Sequence, residues 1–382
     1  MRVLLLGGDG YLGWPTAMHL SVRGHEVVLV DNYFRHEVCI STGFLPLFEV
    51  DRMEIRAELW LAKTGYNIRA IEGDITEYKF LLSLIKDIEP EVIVHYAEQP
   101  SAPYSMLDYD AARYTLVNNL TGTLNVAYAV KETNVDIHVV KVGTMGEYGT
   151  PNIDIEEGFL DIEHKGRKDR FLFPRQASSL YHTTKIQDTD LLYFYVRTWG
   201  LRVTDLMQGP VYGIHTPEMA GDERLFTFFN YDSVFGTVLN RFVVQASVGY
   251  PLTVYGSGKQ KRGYLNILDT LQCVELALDN PPPKGEFRVF NQFTESFTVI
   301  ELAQKVIESA RLLGITATMQ LLENPRIESD SHYYNPSNRG LRDLGLAPHF
   351  LDEKVLVGML DTAIRNKQSV NQDIIDSKVA WR

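Results

Sequence analysis

The string Gly7-Gly8-Asp9-Gly10-Tyr11-Leu12-Gly13 constrains this chain more than any other feature. It follows the apolar run Val3-Leu4-Leu5-Leu6 and opens Tyr11 to Arg23, whose apolar residues recur at helical spacing. The frame reads Gly-x-x-Gly-x-x-Gly at 7, 10 and 13 and Gly-x-Gly-x-x-Gly at 8, 10 and 13. A strand that turns on glycines into a helix points backbone N–H groups and the positive helix end at one spot, which suits a pyrophosphate. The next strand, Glu26 to Val30, ends on Asp31, 18 residues after Gly13. A carboxylate there accepts from ribose hydroxyls and repels a 2′-phosphate, so NAD is expected over NADP. Arg35 is the nearby cation that keeps NADP in view. The expected cofactor contacts are Gly7, Gly10, Tyr11, Leu12 and Gly13 at the phosphates, and Asp31, Asn32 and Arg35 at the ribose. Asp74 and Ile75 are expected at the adenine, with Asp74 as a helix cap the competing reading; Ala97, Asn118 and Val211 complete the set.

The pattern continues past the cradle. Ile68 to Glu72, Val92 to His95 and His138 to Val142 are further apolar strands. Between them lie helical stretches at Glu77 to Lys86, Ala111 to Lys131 and Ser179 to Trp199. Near-continuous apolar strands separated by helices imply parallel strands joined by right-handed crossovers. The expected fold class is therefore α/β, a Rossmann-type doubly wound parallel sheet. Two insertions interrupt it: residues 34–66, read as irregular chain and then a helix from Phe48 to Lys63, and residues 158–173, read as a hairpin turning at His164-Lys165-Gly166-Arg167. After about residue 210 the alternation fades into short strands (Leu252 to Tyr255, Phe287 to Asn291, Thr316 to Leu321) and helices (Phe235 to Val248, Val299 to Ala310, Glu353 to Ile364). We expect residues 1–210 to form the dinucleotide-binding domain and 211–382 mainly a smaller α/β substrate lobe, with some segments returning to the first domain. The 382-residue length suits two domains at about 150 residues each.

Charge narrows the function. Lys+Arg 37 against Asp+Glu 49 leaves −12, which disfavours nucleic acid and anionic membrane as partners. The two cysteines, Cys39 and Cys273, form neither a disulfide framework nor a zinc-ligand pattern, and no metal is expected. No apolar run approaches the ~20 residues of a membrane span, and the N-terminal apolar stretch is shorter than that of a signal peptide. A cytoplasmic location is expected.

Tyr181-His182-Thr183-Thr184-Lys185 places a phenol and an ammonium four residues apart, on one helix face. A phenol of ordinary pKa ≈10 is a poor base at neutral pH, and an adjacent positive charge lowers that value. Val142-Gly143-Thr144 ends a strand and offers a hydroxyl for the same substrate oxygen. Thr144, Tyr181 and Lys185 are thus the candidate redox set.

With the glycine cradle, these residues resemble the extended short-chain dehydrogenase/reductase superfamily, whose members act mostly on nucleotide sugars. The closer resemblance is to the UDP-sulfoquinovose synthases. It rests on Glu98-Gln99, Ser101-Ala102-Pro103-Tyr104-Ser105-Met106, the run from Gly143 to Gly158, Gln176-Ala177-Ser178-Ser179, Leu252 to Gly256, Gly285 to Glu295 and His332-Tyr333-Tyr334-Asn335. The resemblance implies synthesis of UDP-sulfoquinovose from UDP-glucose and sulfite with tightly held NAD, and a homodimer formed through the helices carrying Tyr181 and Ala111 to Lys131. It implies that Glu147 and His182 stand near the reacting sugar carbons, and Gln208, Arg241, Gln260 and Arg262 near the UDP-sugar. Gln99 is added to that set, as are Thr253 and Tyr255 for the uracil. Arg262 and Arg326 suit the diphosphate, because guanidinium forks match its oxygens. The family pattern carries arginine after Glu-Gln; here Pro100 follows, which leaves sulfite to Arg175 or His182.

The related 4,6-dehydratases have Thr-Asp-Glu where this chain has Thr144-Met145-Gly146-Glu147. Met145 cannot donate a proton, which argues against plain dehydration. The acid and base stay open among Glu147, Tyr181 and His182. The competing readings are another NAD-dependent nucleotide-sugar epimerase or dehydratase, and a non-catalytic NAD-binding regulatory protein.

Overall fold

Seven parallel strands form the central sheet, in the order Phe287–Gln292, Arg202–Gln208, His138–Thr144, Val92–His95, Arg2–Leu6, Glu26–Asp31 and Ile68–Glu72. The computed structural model describes residues 1–325, 332–375 and 379–380. Strand side chains alternate between faces. Val3 and Leu5 therefore enter one apolar layer, with Trp14, Ala17 and Met18 of the helix Gly13–Val22. Leu4 and Leu6 enter the other, with Val126 and Val130 of the helix Tyr109–Thr133 and Leu192 of the helix Leu180–Trp199. All four strand residues are fully buried, each contributing about 1.5–3 kcal/mol. The chain order reverses between Arg2–Leu6 and Val92–His95, and the crevice at the carboxyl ends of these strands is where a doubly wound sheet binds its ligand.

The expected strands and long helices are present within a few residues of their expected ends. The hairpin is present as Phe159–His164 paired antiparallel with Arg167–Leu172. Lys165 and Gly166 turn it with φ of 51° and 74°, the paired positive values of a two-residue hairpin turn.

Two readings need correction, and one is made specific. The first insertion is not irregular at its start: Phe34–Thr42 is helical, and the second helix runs Met53–Thr64 rather than from Phe48. Phe287–Gln292 belongs to the main sheet as its edge strand beside Arg202–Gln208, so the chain does return from the C-terminal part. Thr316 to Leu321 narrows to Met319–Leu322, which pairs in parallel with Leu252–Tyr255 in a separate two-stranded sheet. That sheet packs against the helices Val238–Ser247 and Val299–Leu312. Among the described residues no helix is long and apolar enough to cross a membrane.

Candidate functional site

One cavity of about 880 Å³ runs from the glycine turn, along the carboxyl ends of the strands, to the C-terminal lobe. Its floor is shaped by absent side chains. A Cβ on Gly13 would lie 2.1 Å from the Gly7 carbonyl oxygen, and one on Gly7 would lie 2.6 Å from the Ala97 nitrogen. A Cβ on Gly10 would meet only Gly7 O at 3.6 Å. Its bareness is not needed for packing and leaves room for a ligand. The cradle fits a dinucleotide pyrophosphate.

Asp31 ends its strand at the cavity wall. It accepts from the backbone N–H groups of Asp9 (3.0 Å) and Tyr33 (2.8 Å). Burial, with the neighbouring Asp9 charge, pushes its pKa up to about 6. Asp9 itself is clamped by the first insertion, through Arg56 at 2.6 Å and His36 at 2.9 Å. Arg35 lines the cavity with its guanidinium 4.7 Å from the Phe235 ring centroid, and burial lowers its pKa. Tyr11, Leu12, Asn32, Ile75, Ala97, Asn118 and Val211 also line the wall. Asp74 does not: Thr76 and Asn32 hold its carboxylate in the turn. Nor does it cap the following helix, whose N-cap is Glu77. Reading the sequence missed Phe34 and Tyr114, which stack 3.9 Å apart and line the same end. An aromatic lining has no positional signal in a single chain.

Thr144, Tyr181 and Lys185 all line the cavity. Ser179 caps the helix Leu180–Trp199 and so fixes the height of Tyr181 and Lys185. Thr144 accepts from Gly146 N at 3.1 Å. Lys185 Nζ donates to the Val142 carbonyl (2.8 Å) and to Glu98, a cavity-lining carboxylate that we did not single out from sequence. Burial first, then the charges of Glu98 and Glu147, drive the Tyr181 phenol above its usual range; Lys141 opposes them. Met145 and His182 line the cavity. His182 Nδ1 faces Ser178 Oγ (3.0 Å) and Ser179 Oγ (3.1 Å). Its Nε2 sits where a Gly146 side chain would start, 2.3 Å from an ideal Cβ.

Glu147 is a correction. It is fully buried and turned away from the cavity, beside Lys141 (3.4 Å), Thr189 (3.0 Å) and Arg175 (3.6 Å). Thr144 caps a single 3₁₀ turn, Met145–Glu147, that sends this side chain inward. Burial pushes its pKa up to about 7. Arg175 leaves the site with it, engaged by Glu147 and Asp190.

At the far end Gln208, Arg241, Tyr255, Gln260 and Arg262 line the cavity, joined by Tyr264 and Tyr334. Arg241 lies 4.7 Å from the Tyr255 ring centroid and donates to Thr253 O. Arg262 contacts His332 at 2.7 Å. Gln99 lines the wall, but Thr115 and Ser101 occupy its amide. Thr253 is withdrawn: Gln245 binds its hydroxyl at 2.7 Å, so it supports Arg241 and does not face the cavity. Arg326 lies outside the described residues.

The NAD dependent epimerase/dehydratase family model matches residues 3–291. The UDP-sulfoquinovose synthase of Sulfolobus acidocaldarius is 43% identical over 385 residues, spanning all of this chain and 98% of that one. The chloroplastic UDP-sulfoquinovose synthase of Spinacia oleracea is 49% identical over 381 residues, spanning all of this chain and 79% of that one. The UDP-glucose 4-epimerase of Bifidobacterium longum, solved with NAD⁺ and UDP, shares the fold with TM-score 0.72 at 18% identity, over 97% of this chain and all of that one.

Proposed function

We propose how the site works in a chain that belongs to the NAD-dependent epimerase/dehydratase family and, within it, to the UDP-sulfoquinovose synthases. The activity is synthesis of UDP-sulfoquinovose, the substrate a UDP-sugar and the cofactor NAD. UDP-glucose is the sugar we assign, and sulfite the nucleophile.

Sulfite has to replace the 6-hydroxyl, a poor leaving group on an unactivated carbon. NAD, which the Gly7–Gly13 turn and Asp31 would hold, would supply a reversible hydride acceptor for carbon 4. Tyr181 takes the 4-hydroxyl proton, Thr144 holds that oxygen, and the Lys185 ammonium supports the phenolate. The 4-ketone acidifies the carbon-5 proton. Loss of that proton and of the 6-hydroxyl, together as water, leaves an enone; sulfite adds at carbon 6 and carbon 5 regains a proton, which restores the 4-ketone for re-reduction. With Glu147 turned inward, Tyr181 and His182 remain to move these protons. Arg241 and Arg262 meet the diphosphate, Tyr255 and Gln260 the nucleoside side. With Arg175 engaged elsewhere, His182 is left to receive sulfite.

The observation that carries this reading is the pairing of Gly146 with His182. In the dehydratase pattern a carboxylate stands at position 146; here His182 Nε2 fills that space, 2.3 Å from where a Cβ would sit. Met145 removes the second carboxylate. The chain lacks the dehydratase acid–base pair and offers an imidazole instead.

Mass spectrometry of the product from UDP-glucose, NAD and sulfite tests the proposal, a sulfonated UDP-sugar being expected. Without sulfite, in heavy water, UDP-glucose should gain deuterium at carbon 5 and keep its configuration. Accumulating UDP-galactose would favour an epimerase, a 4-keto-6-deoxy sugar a dehydratase, and neither exchange nor product a non-catalytic protein.

Asp31 selects NAD. Its carboxylate must be ionised to accept from both ribose hydroxyls, so NAD affinity should weaken as pH falls through about 6. Asp31→Ala should weaken NAD and admit NADP. Calorimetry with both dinucleotides checks this; equal wild-type affinity for the two would contradict it.

A homodimer is assigned through the helices Tyr109–Thr133 and Leu180–Trp199, which pack together and expose Tyr109, Leu116, Val117 and Phe194. We also assign the protein to the cytoplasm.

A further inference from the structure

Lys185 has more carboxylate around it than one ammonium can neutralise. Its Nζ binds Glu98 Oε1, and Asp188 Oδ2, one turn along the helix, stands 4.0 Å from the same nitrogen. The side chains of Lys185, Glu98 and Asp188 are 2%, 5% and 0% exposed. Among the described residues no other cation is in contact with Asp188. Lys141 is committed to Asp205 at 3.0 Å and to Glu147 at 3.4 Å. His95, 3.9 Å from Glu98, is held neutral by burial, its pKa down to about 4. The Tyr181 phenol above them is uncharged. An isolated buried carboxylate costs several kcal/mol.

The hydrogen-bond pattern points the same way. Both oxygens of Asp188, and Glu98 Oε2, are buried without a donor. The two carboxyl groups nevertheless lie within hydrogen-bonding reach of each other. Two carboxylates cannot bond; a carboxylic acid and a carboxylate can. Buried polar atoms without partners are rare, and a set of them facing one another calls for an explanation. One proton supplies it.

We propose that Glu98 and Asp188 share a single proton, so that the pair carries one negative charge, balances Lys185, and positions its ammonium beneath Tyr181. Asp188 is then a positioning residue that touches neither sugar nor cofactor. It acts on Tyr181 through Lys185. With the proton in place, the charge under the phenol sums to zero. Without it, an extra negative charge opposes phenolate formation. Burial and the Glu98 charge raise the Asp188 pKa well above the carboxylate range, so the proton is present at neutral pH and is lost as pH rises. The proposal rests on the reading of Tyr181 and Lys185 as the redox pair for its kinetic consequence, but not for the shared proton.

Infrared spectroscopy reads the proton directly on the purified protein. At mildly alkaline pH the wild type should show a deuteration-sensitive C=O band of a protonated carboxyl, and Asp188→Asn should lose it. Glu98→Gln should lose it as well, because Asp188 then ionises as the sole counter-charge of Lys185. This second variant keeps the test open if the first fails to fold. The alkaline fall in kcat of the wild type should be absent from Asp188→Asn, which is neutral at every pH. A band that survives both substitutions overturns the shared proton. A wild-type alkaline limb in a folded, NAD-retaining Asp188→Asn protein overturns the positioning role. A misassigned redox pair would show separately, as turnover retained by Tyr181→Phe, and would leave the infrared result standing.

Discussion

Tyr181→Phe should lower turnover by about 10²–10⁴-fold, the usual contribution of a general acid–base group, while NAD content and UDP-glucose affinity stay as in wild type. Tyr181 shares a helix face with Lys185 and lines the cavity beside Thr144. The protein groups around it oppose ionisation: burial, Glu98 and Glu147 all raise the phenol above its ordinary value. The resting side chain is therefore a neutral phenol. It becomes a base only with added positive charge beside it, which an oxidised nicotinamide would supply. Phenylalanine keeps the ring and its packing but cannot take the 4-hydroxyl proton, so carbon 4 cannot be oxidised. Stopped-flow absorbance in the NADH band checks this, with NAD released by denaturation as the loading control. A transient of wild-type amplitude would sink the assignment.

The frame was legible because it rests on local rules. Buried parallel strands must be apolar along their length, so Val3 to Leu6 and Val92 to His95 announce themselves. The hairpin turn was legible because Lys165-Gly166 suits paired positive φ. The helix Phe34–Thr42 was hidden for a physical reason. Only Val38 and Cys39 of it are buried, while His36 faces the Asp9 carboxylate. A helix docked on a charge carries no apolar stripe. Phe287–Gln292 was readable as a strand, but its sheet was not, since its partner lies 84 residues back in the chain.

The site divides along the same line. Motifs placed Thr144, Tyr181, Lys185 and the glycines at the cavity, because their spacing is itself the geometry. Glu147, placed near the sugar by resemblance, was misplaced since a position in a motif says nothing about side-chain direction, and a single 3₁₀ turn sends it inward. Glu98 was passed over because its partner, Lys185, is 87 residues distant. Buried charge pairing is a property of the folded chain, and only its members, not their partners, are visible in one sequence.

Gly146→Ala is expected to lower sulfonation by about 10²-fold or more, at a stability cost of about 1–3 kcal/mol from the overpacked contact. Gly146 does not have the positive φ that would strain an alanine, so the backbone accepts the change. The side chain does not fit: its Cβ would lie 2.3 Å from His182 Nε2 and 2.5 Å from Cδ2. The imidazole cannot simply retreat, because Ser178 and Ser179 hold Nδ1 from the other side and Ser179 also caps the helix. Gly146 N is in turn the donor that Thr144 Oγ accepts, so the hydroxyl meant for the carbon-4 oxygen is disturbed as well. A displacement of about 1 Å at a reacting group costs on the order of 10²-fold in rate. Two readouts separate the causes. If His182 moves the carbon-5 proton, Gly146→Ala loses deuterium exchange at carbon 5. The double variant Gly146→Ala, His182→Ala then recovers the NADH transient, since the clash is gone, but not the exchange, since the imidazole is gone too. Exchange restored in the double variant would return the carbon-5 proton to Tyr181. Wild-type sulfonation by Gly146→Ala alone would show that His182 has room to move, and the proposed functional pairing of Gly146 with His182 would fall.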